Sequence, residues 1–546
     1  MSPEQGAGSR AGANAWLDRF LSAYYVHRPV SATFIGRHEH DHRLPDYSES
    51  GIAATVGEME ELLGSAPAAD DLDVRLATGY LRTQLWEFQS GHGPRGNPAL
   101  ATGEAVFGIM GLFLTDYAPM ADRVAAAVAR LEAIPGFLEG ARATLRRAPS
   151  PWIERALDEC AGAEAFLGDG IARLSAEHRI TTPALGAAAA RARAAFAEHD
   201  AFLRTDLAAR EPGAAGAGEE AYRLHLREAH CIDEAPDEIA RYAEEELGRT
   251  RGILARTPRP GPDGHAATAD YYRRYQAIWD RARDAAVAQE LLTWPDFPIR
   301  YVPRPAWART AAPHLYFLFY RAPAAFQRPA VHHYLVTPVE PAMPQALQEE
   351  LLVANDDCAI TLNHVVHHGG IGHHVQNWHA YRCASRIGRI AAVDCASRIA
   401  LLCGGTMAEG WACYATDLMD EAGLLTPFQR YDELRTRLRM CARAVVDVRL
   451  HQGRFTPEQA AGYYQREAEM SAAGARGEVT RNSMFPGTAV MYVLGRDAIH
   501  QLRRDLSARL GPRFRLRAFH DEFLSYGSIP VRLIGDAMRK RVTHAG

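Results

Sequence analysis

The chain has 546 residues, of which 47% are apolar and 23% charged, with a net charge of −5; that is ample for a large core and suggests roughly two to four lobes. No Lys/Arg-rich block or basic stripe occurs, which argues against a nucleic-acid partner, and no apolar run approaches the ~20 residues that cross a bilayer, which argues against a membrane partner. Lys540 is the single lysine, so chemistry through a lysine Schiff base is not expected.

Residues 1–14 are small and polar, without the apolar run of a secretory signal, and read as a disordered tail. From 15 to 290 the pattern is helical: Trp16, Phe20, Leu21 and Tyr24 recur on one helical face, and 101–145 and 151–207 read as long packed helices. Pro/Gly-rich breaks fall at 211–218 and 256–264. The segment 291–343 is rich in Pro and aromatic residues, and its runs 315–320 (LYFLFY) and 331–337 (VHHYLVT) predict strands of a small sheet. Helices resume over 344–368, 375–386, 390–421 and 427–452, and the region 344–542 closes the chain as a C-terminal helical part. The fold class expected is therefore mainly α with a small β insertion. The eight cysteines include no C-x-x-C pair; with no export signal, free buried thiols and a cytoplasmic location are expected.

Chemistry concentrates at 363–379, NHVVHHGGIGHHVQNWH, where six histidines share a short span with Gly369, Gly370 and Gly372. Neutral imidazole is the common nitrogen ligand for zinc, iron and copper. His364 and His368 have the i, i+4 spacing that converges on one helical face, whereas His367 and His373 do not. The glycines resolve this, because they let one helix stop at His367 and another start at His373. A third ligand is offered by Glu409, set among small residues in the helical run TMAEGWACYA, 406–415. A catalytic zinc takes three protein ligands and keeps one position open.

These motifs resemble those of a bacterial family called domain of unknown function 885, which the resemblance associates with zinc peptidases of helical, gluzincin-like fold. Its pattern H-E-x-x-P-G-H-H-x-Q, then E-G-W-A-x-Y, is similar to His367-His368-Gly369-Gly370-Ile371-Gly372-His373-His374-Val375-Gln376 and to Glu409-Gly410-Trp411-Ala412-Cys413-Tyr414. Matches also run through 29–36 with 44–48, 448–453, 481–487 with Tyr492 and Gly495, and 519–521 with 527–530. The resemblance implies His367, His373 and Glu409 as metal ligands, with His368, His374 and His364 in reserve. It implies Gln376 as a group orienting a ligand or substrate, and Tyr492 and Arg481 as a pair facing the site, able to stabilise negative charge or bind a carboxylate. The implied cofactor is one divalent metal, zinc first and iron or another transition metal second. The implied substrate is a small or peptide-like molecule.

The pattern departs at its centre. His368 stands where the family has its Glu, the expected general base, and Ile371 stands where it has Pro. Three readings follow: His368 serves as the base of a hydrolase; the site is repurposed for a non-peptidase reaction on a small amino-acid-like or specialised metabolite; or the protein is an inactive binding relative. The second is preferred, because ligand-type residues are kept and histidines added around them. Lesser signals are the alternating run His38, His40, His42, read as an exposed loop; the strand residues His332 and His333, candidates to reach a cleft formed with the metal helices; and His520 with Asp521, for which a helix cap or buried hydrogen bond is the default.

Overall fold

Apolar periodicity becomes helix along most of the chain. The computed structural model describes residues 3–68, 71–315, 324–391, 393, 395, 396, 398 and 400–544. It is mainly α, and the two short strands of the described residues fall inside the segment 291–343. Ile299–Pro303 and His332–Val336 pair in parallel, with Ile299 opposite His332 and Tyr301 opposite Tyr334. The second is the run 331–337; of the run 315–320, all but Leu315 lies outside the described residues. No helix of the described residues is long and apolar enough to cross a membrane.

Backbone contacts divide the chain into two units. The first takes Met1–Ala215, Arg304–Pro329 and Val393–Leu401; the second takes Gly216–Pro303, Ala330–Ala392 and Leu402–Gly546. In the first, a helix spans Pro3–His27 and so begins inside the stretch expected as a disordered tail. Its face of Trp16, Phe20, Leu21 and Tyr24 is buried, with Trp16 stacked on Phe20 at 5.9 Å and Phe20 edge-on to Tyr80 at 6.2 Å. The expected long helix over 101–145 is two, Pro98–Met110 and Met120–Thr144. The stretch 151–207 likewise breaks before Pro183, whose fixed φ and missing N–H suit a helix start.

A polar knot sits in this unit. Arg130 is fully buried and donates to the carbonyls of Arg43 at 2.8 Å and Gly108 at 2.6 Å and to Thr33 Oγ1 at 2.8 Å. Asp41 accepts from Thr33 Oγ1 and Tyr117 OH, both at 2.6 Å, and pairs with His38 Nδ1 at 2.9 Å. The alternating histidine run is thereby spent on structure: His38 also stacks on Tyr117 at 3.8 Å, while His42 is exposed.

In the second unit, helices Glu219–His230, Pro236–Arg256, Pro427–His451, Pro457–Ala468 and Ala472–Met484 bury a shared core that includes Tyr222, Leu226, Leu247, Val445 and Val479. The expected helix over 344–368 is interrupted. It forms as Gln345–Ala354, a turn at Asp357–Ala359 capped by the Asp356 carboxylate, and a wider i→i+5 helix at Ile360–Gly369. The expected helix over 390–421 starts only at Gly405. The stretch before it carries buried apolar residues at near-helical spacing, but its part in the first unit, Val393–Leu401, bonds across itself instead, Cys395 N to Arg398 O and Ala400 N to Val393 O at 2.8 Å each.

Candidate metal centre

All the candidate ligands lie in the second unit. The i→i+5 helix Ile360–Gly369 carries His367 and His368 in its last turn, and the helix His373–Ala380 opens on His373. Between them Gly372 N–H bonds Val366 O at 2.9 Å. A Cβ on Gly372 would lie 2.0 Å from the His367 carbonyl oxygen, so only glycine permits this close return. The turn is tied to the helix Gly405–Glu421 by Trp411, whose buried indole N–H donates to Ile371 O at 2.8 Å. Glu409, two residues before Trp411, is thus delivered to the two histidines.

The donors converge. Glu409 Oε2 lies 3.4 Å from His367 Nε2 and 3.6 Å from His373 Nε2. Ligand atoms of His367, His368 and His373 all fall within 4.8 Å of one another. Two ligands at about 2.1 Å from one tetrahedral cation stand about 3.4 Å apart, so the first two separations have the length of an edge of such a site. They exceed the 2.7–3.2 Å typical of an N–H···O hydrogen bond, and Glu409 Oε2 is buried with no hydrogen-bond partner. A buried carboxylate oxygen without a donor is costly unless a charge answers it. The residues present fit a divalent cation. Burial opposes the charge on Glu409, yet the imidazoles of His373 and His367 hold its carboxyl well below the usual range. Burial pushes His367 below its ordinary value, against the pull of Glu409, which keeps it in the neutral form that binds metal.

Three residues expected at the site are directed elsewhere. The His364 ring contacts Tyr334 OH through Nδ1 at 2.7 Å and packs against Tyr275 at 5.5 Å, outside the grouped donors. His374 is fully buried, stacks on Phe297 at 4.5 Å and bonds its carbonyl through Nε2 at 2.7 Å. One residue on from His373, about 100° further round the helix, its ring is taken by Phe297, so neither His364 nor His374 joins the grouped donors. Gln376 Nε2 donates to Ser528 Oγ at 2.6 Å, which ties it to the loop at 527–530, while its Oε1 is buried without a hydrogen-bond partner.

The pair Tyr492 and Arg481 is formed, with Arg481 Nη2 donating to Tyr492 OH at 3.1 Å. Tyr492 feels the charge of Glu409, and burial raises its phenol above the ordinary value. Sequence reasoning missed Arg443, whose guanidinium lies 5.0 Å over the Tyr492 ring and pairs with Glu478, Nε to Oε2 at 2.8 Å. In an arginine-rich chain nothing local marks it out; only the helix face it shares with the core betrays its burial. Burial opposes ionisation of Glu478, but Arg443, Arg481 and Arg439 bring its carboxyl from the ordinary 4.5 to about 2. The sign is that of a depressed acid: the stabilisation is present above pH 4.5 and is lost as pH falls toward 2. It is worth on the order of 3 kcal/mol. Urea unfolding followed between these limits should show this loss in the wild type and a shallower one in Glu478→Gln.

The lesser signals resolve as structure. His332 is buried beside His374, with ring centroids 5.7 Å apart, and His333 is exposed. His520 Nε2 meets Tyr414 OH at 2.9 Å, and Asp521 accepts from the Thr293 N–H at 2.8 Å. All eight cysteines are buried and reduced, with no disulfide among the described residues.

The profile of a bacterial protein family of unknown function, DUF885, matches residues 29–538. The chain belongs to the DUF885 family. Two solved structures share its fold. One is a candidate lipoprotein of unknown function from Shewanella oneidensis, 21% identical with a TM-score of 0.74, covering 97% of this chain and 99% of that one. The other is a candidate lipoprotein from Colwellia psychrerythraea, 17% identical with a TM-score of 0.72, covering 98% and 99%. No curated protein matches the sequence.

Proposed function

We propose that this DUF885 protein is a metal-dependent enzyme that holds one divalent cation through His367, His373 and Glu409 and acts on a small, amino-acid-like or specialised metabolite in a reaction other than peptide hydrolysis. The observation that carries the reading is the unsatisfied, buried Glu409 Oε2 facing two imidazole nitrogens at 3.4 and 3.6 Å. A cation in that place polarises a coordinated group and offsets developing negative charge. The chain's own residues supply the rest. Arg481 and Tyr492 present donors beside the donor cluster, backed by Arg443, and suit a substrate carboxylate.

The departure from the peptidase pattern supports a repurposed reaction over hydrolysis with His368 as base. His368 Nδ1 is occupied by the Asn363 carbonyl at 2.7 Å. Burial, then the imidazoles of His367 and His373, push its basicity well below the ordinary value, so it is a poor proton acceptor near neutrality. The family's carboxylate would be a far better one. Peptide hydrolysis is therefore expected to be absent from the wild type and to appear in His368→Glu; strong hydrolysis by the wild type would overturn the reading. The cytoplasm is the compartment proposed, since eight buried thiols without a disulfide suit a reducing setting.

A further inference from the structure

Why the histidine at 368 is kept beside the cluster follows from its tautomer. Its Nδ1 meets the Asn363 carbonyl oxygen at 2.7 Å. A carbonyl only accepts, so Nδ1 carries the hydrogen and Nε2 carries the lone pair. This is the arrangement by which metal-binding imidazoles are usually held, one ring nitrogen donating to a carbonyl and the other bound to the ion. The His368 ring lies 4.6 Å from that of His367 and 5.4 Å from that of His373. Its ligand atom is within 4.8 Å of theirs.

We propose that His368 is a fourth metal ligand, through Nε2, and that the cation is one that accepts five or six donors, such as Fe(II), Mn(II) or Co(II). The inference rests on the metal reading above and adds a donor set of three imidazoles and one carboxylate. Among the described residues the mutually close group is the three imidazoles, and Glu409 approaches His367 and His373 of these. A six-coordinate ion held by four protein ligands keeps two positions for substrate, whereas a four-coordinate zinc with four protein ligands keeps none.

The test is cobalt substitution of the full chain, read by visible absorption and by X-ray absorption at the cobalt edge. The wild type should bind one Co(II), show the weak bands of a five- or six-coordinate ion, and require three imidazoles in the fit. His368→Ala should bind Co(II) more weakly by at least the about 10–100-fold loss typical of an outer partner, and its fit should drop to two imidazoles. His368→Gln, whose metal-free melting curve checks folding, should behave the same way. Two imidazoles in the wild type, or intense tetrahedral bands unchanged by both substitutions, would overturn the fourth ligand while leaving the metal centre intact. Failure of the wild type to bind Co(II) at all would remove the metal reading itself.

Discussion

Glu409→Gln should abolish metal retention while leaving the fold in place. The carboxylate supplies the one negative charge among the grouped donors, and its Oε2 faces His367 and His373 at 3.4 and 3.6 Å. An amide of the same shape keeps the packing and loses the charge, so affinity should fall by more than the about 100-fold that marks the upper range for outer partners. Stability carries a second signature. The imidazoles of His373 and His367 hold the buried Glu409 carboxyl well below its usual range, so the ionised form contributes to stability and neutralising it removes that contribution. The metal-free variant should therefore melt below the metal-free wild type. Added metal stabilises a native site by about 4 kcal/mol at a thousandfold excess over Kd; that rise in Tm should appear in the wild type and vanish in Glu409→Gln. Calorimetric melting with and without metal checks both halves.

Gly495→Ala should destabilise the protein and loosen the metal centre from a distance. Helices Gly405–Glu421 and Met491–Leu510 touch backbone to backbone at Gly410 and Gly495. A Cβ on Gly495 would stand 2.1 Å from the Thr406 carbonyl oxygen and 2.9 Å from the Gly410 Cα. Helix propensity favours alanine over glycine by about 1 kcal/mol. The clash outweighs it, because the obstructing atoms are main chain and cannot rotate away; overpacking of this kind costs about 1–3 kcal/mol. The helices must separate, and Glu409 rides on one of them. Urea unfolding should show net destabilisation, and metal titration a weakened site. A gain in stability would mean that the two helices are free to part at no cost.

How far the site could be read from sequence depends on where each partner lies. Density of imidazole between His364 and His379 marked the candidate site, and small residues around Glu409 marked a carboxylate with room to approach it. The glycine-made turn that joins His367 to His373 was also legible, since no other residue allows it. What was hidden was the choice among neighbouring histidines. His364 and His374 leave the cluster because of Tyr334 and Phe297, and Gln376 because of Ser528, at separations of 30, 77 and 152 residues. No local pattern reports such contacts. The wider i→i+5 helix at Ile360–Gly369 was hidden for the same reason, as propensity does not distinguish it from an ordinary helix. In the fold, the helical face of Trp16 to Tyr24 was plain, whereas the stretch before Gly405 imitated a helix because buried apolar residues such as Ile390, Val393, Ala400 and Leu401 fall at near-helical spacing.

Anomalous diffraction from crystals of metal-loaded protein, collected at the absorption edge of the added ion, tests the metal centre most directly. One strong peak within bonding distance of His367 Nε2, His373 Nε2 and Glu409 Oε2 is the result predicted. A peak elsewhere, or none between those three side chains, would contradict it.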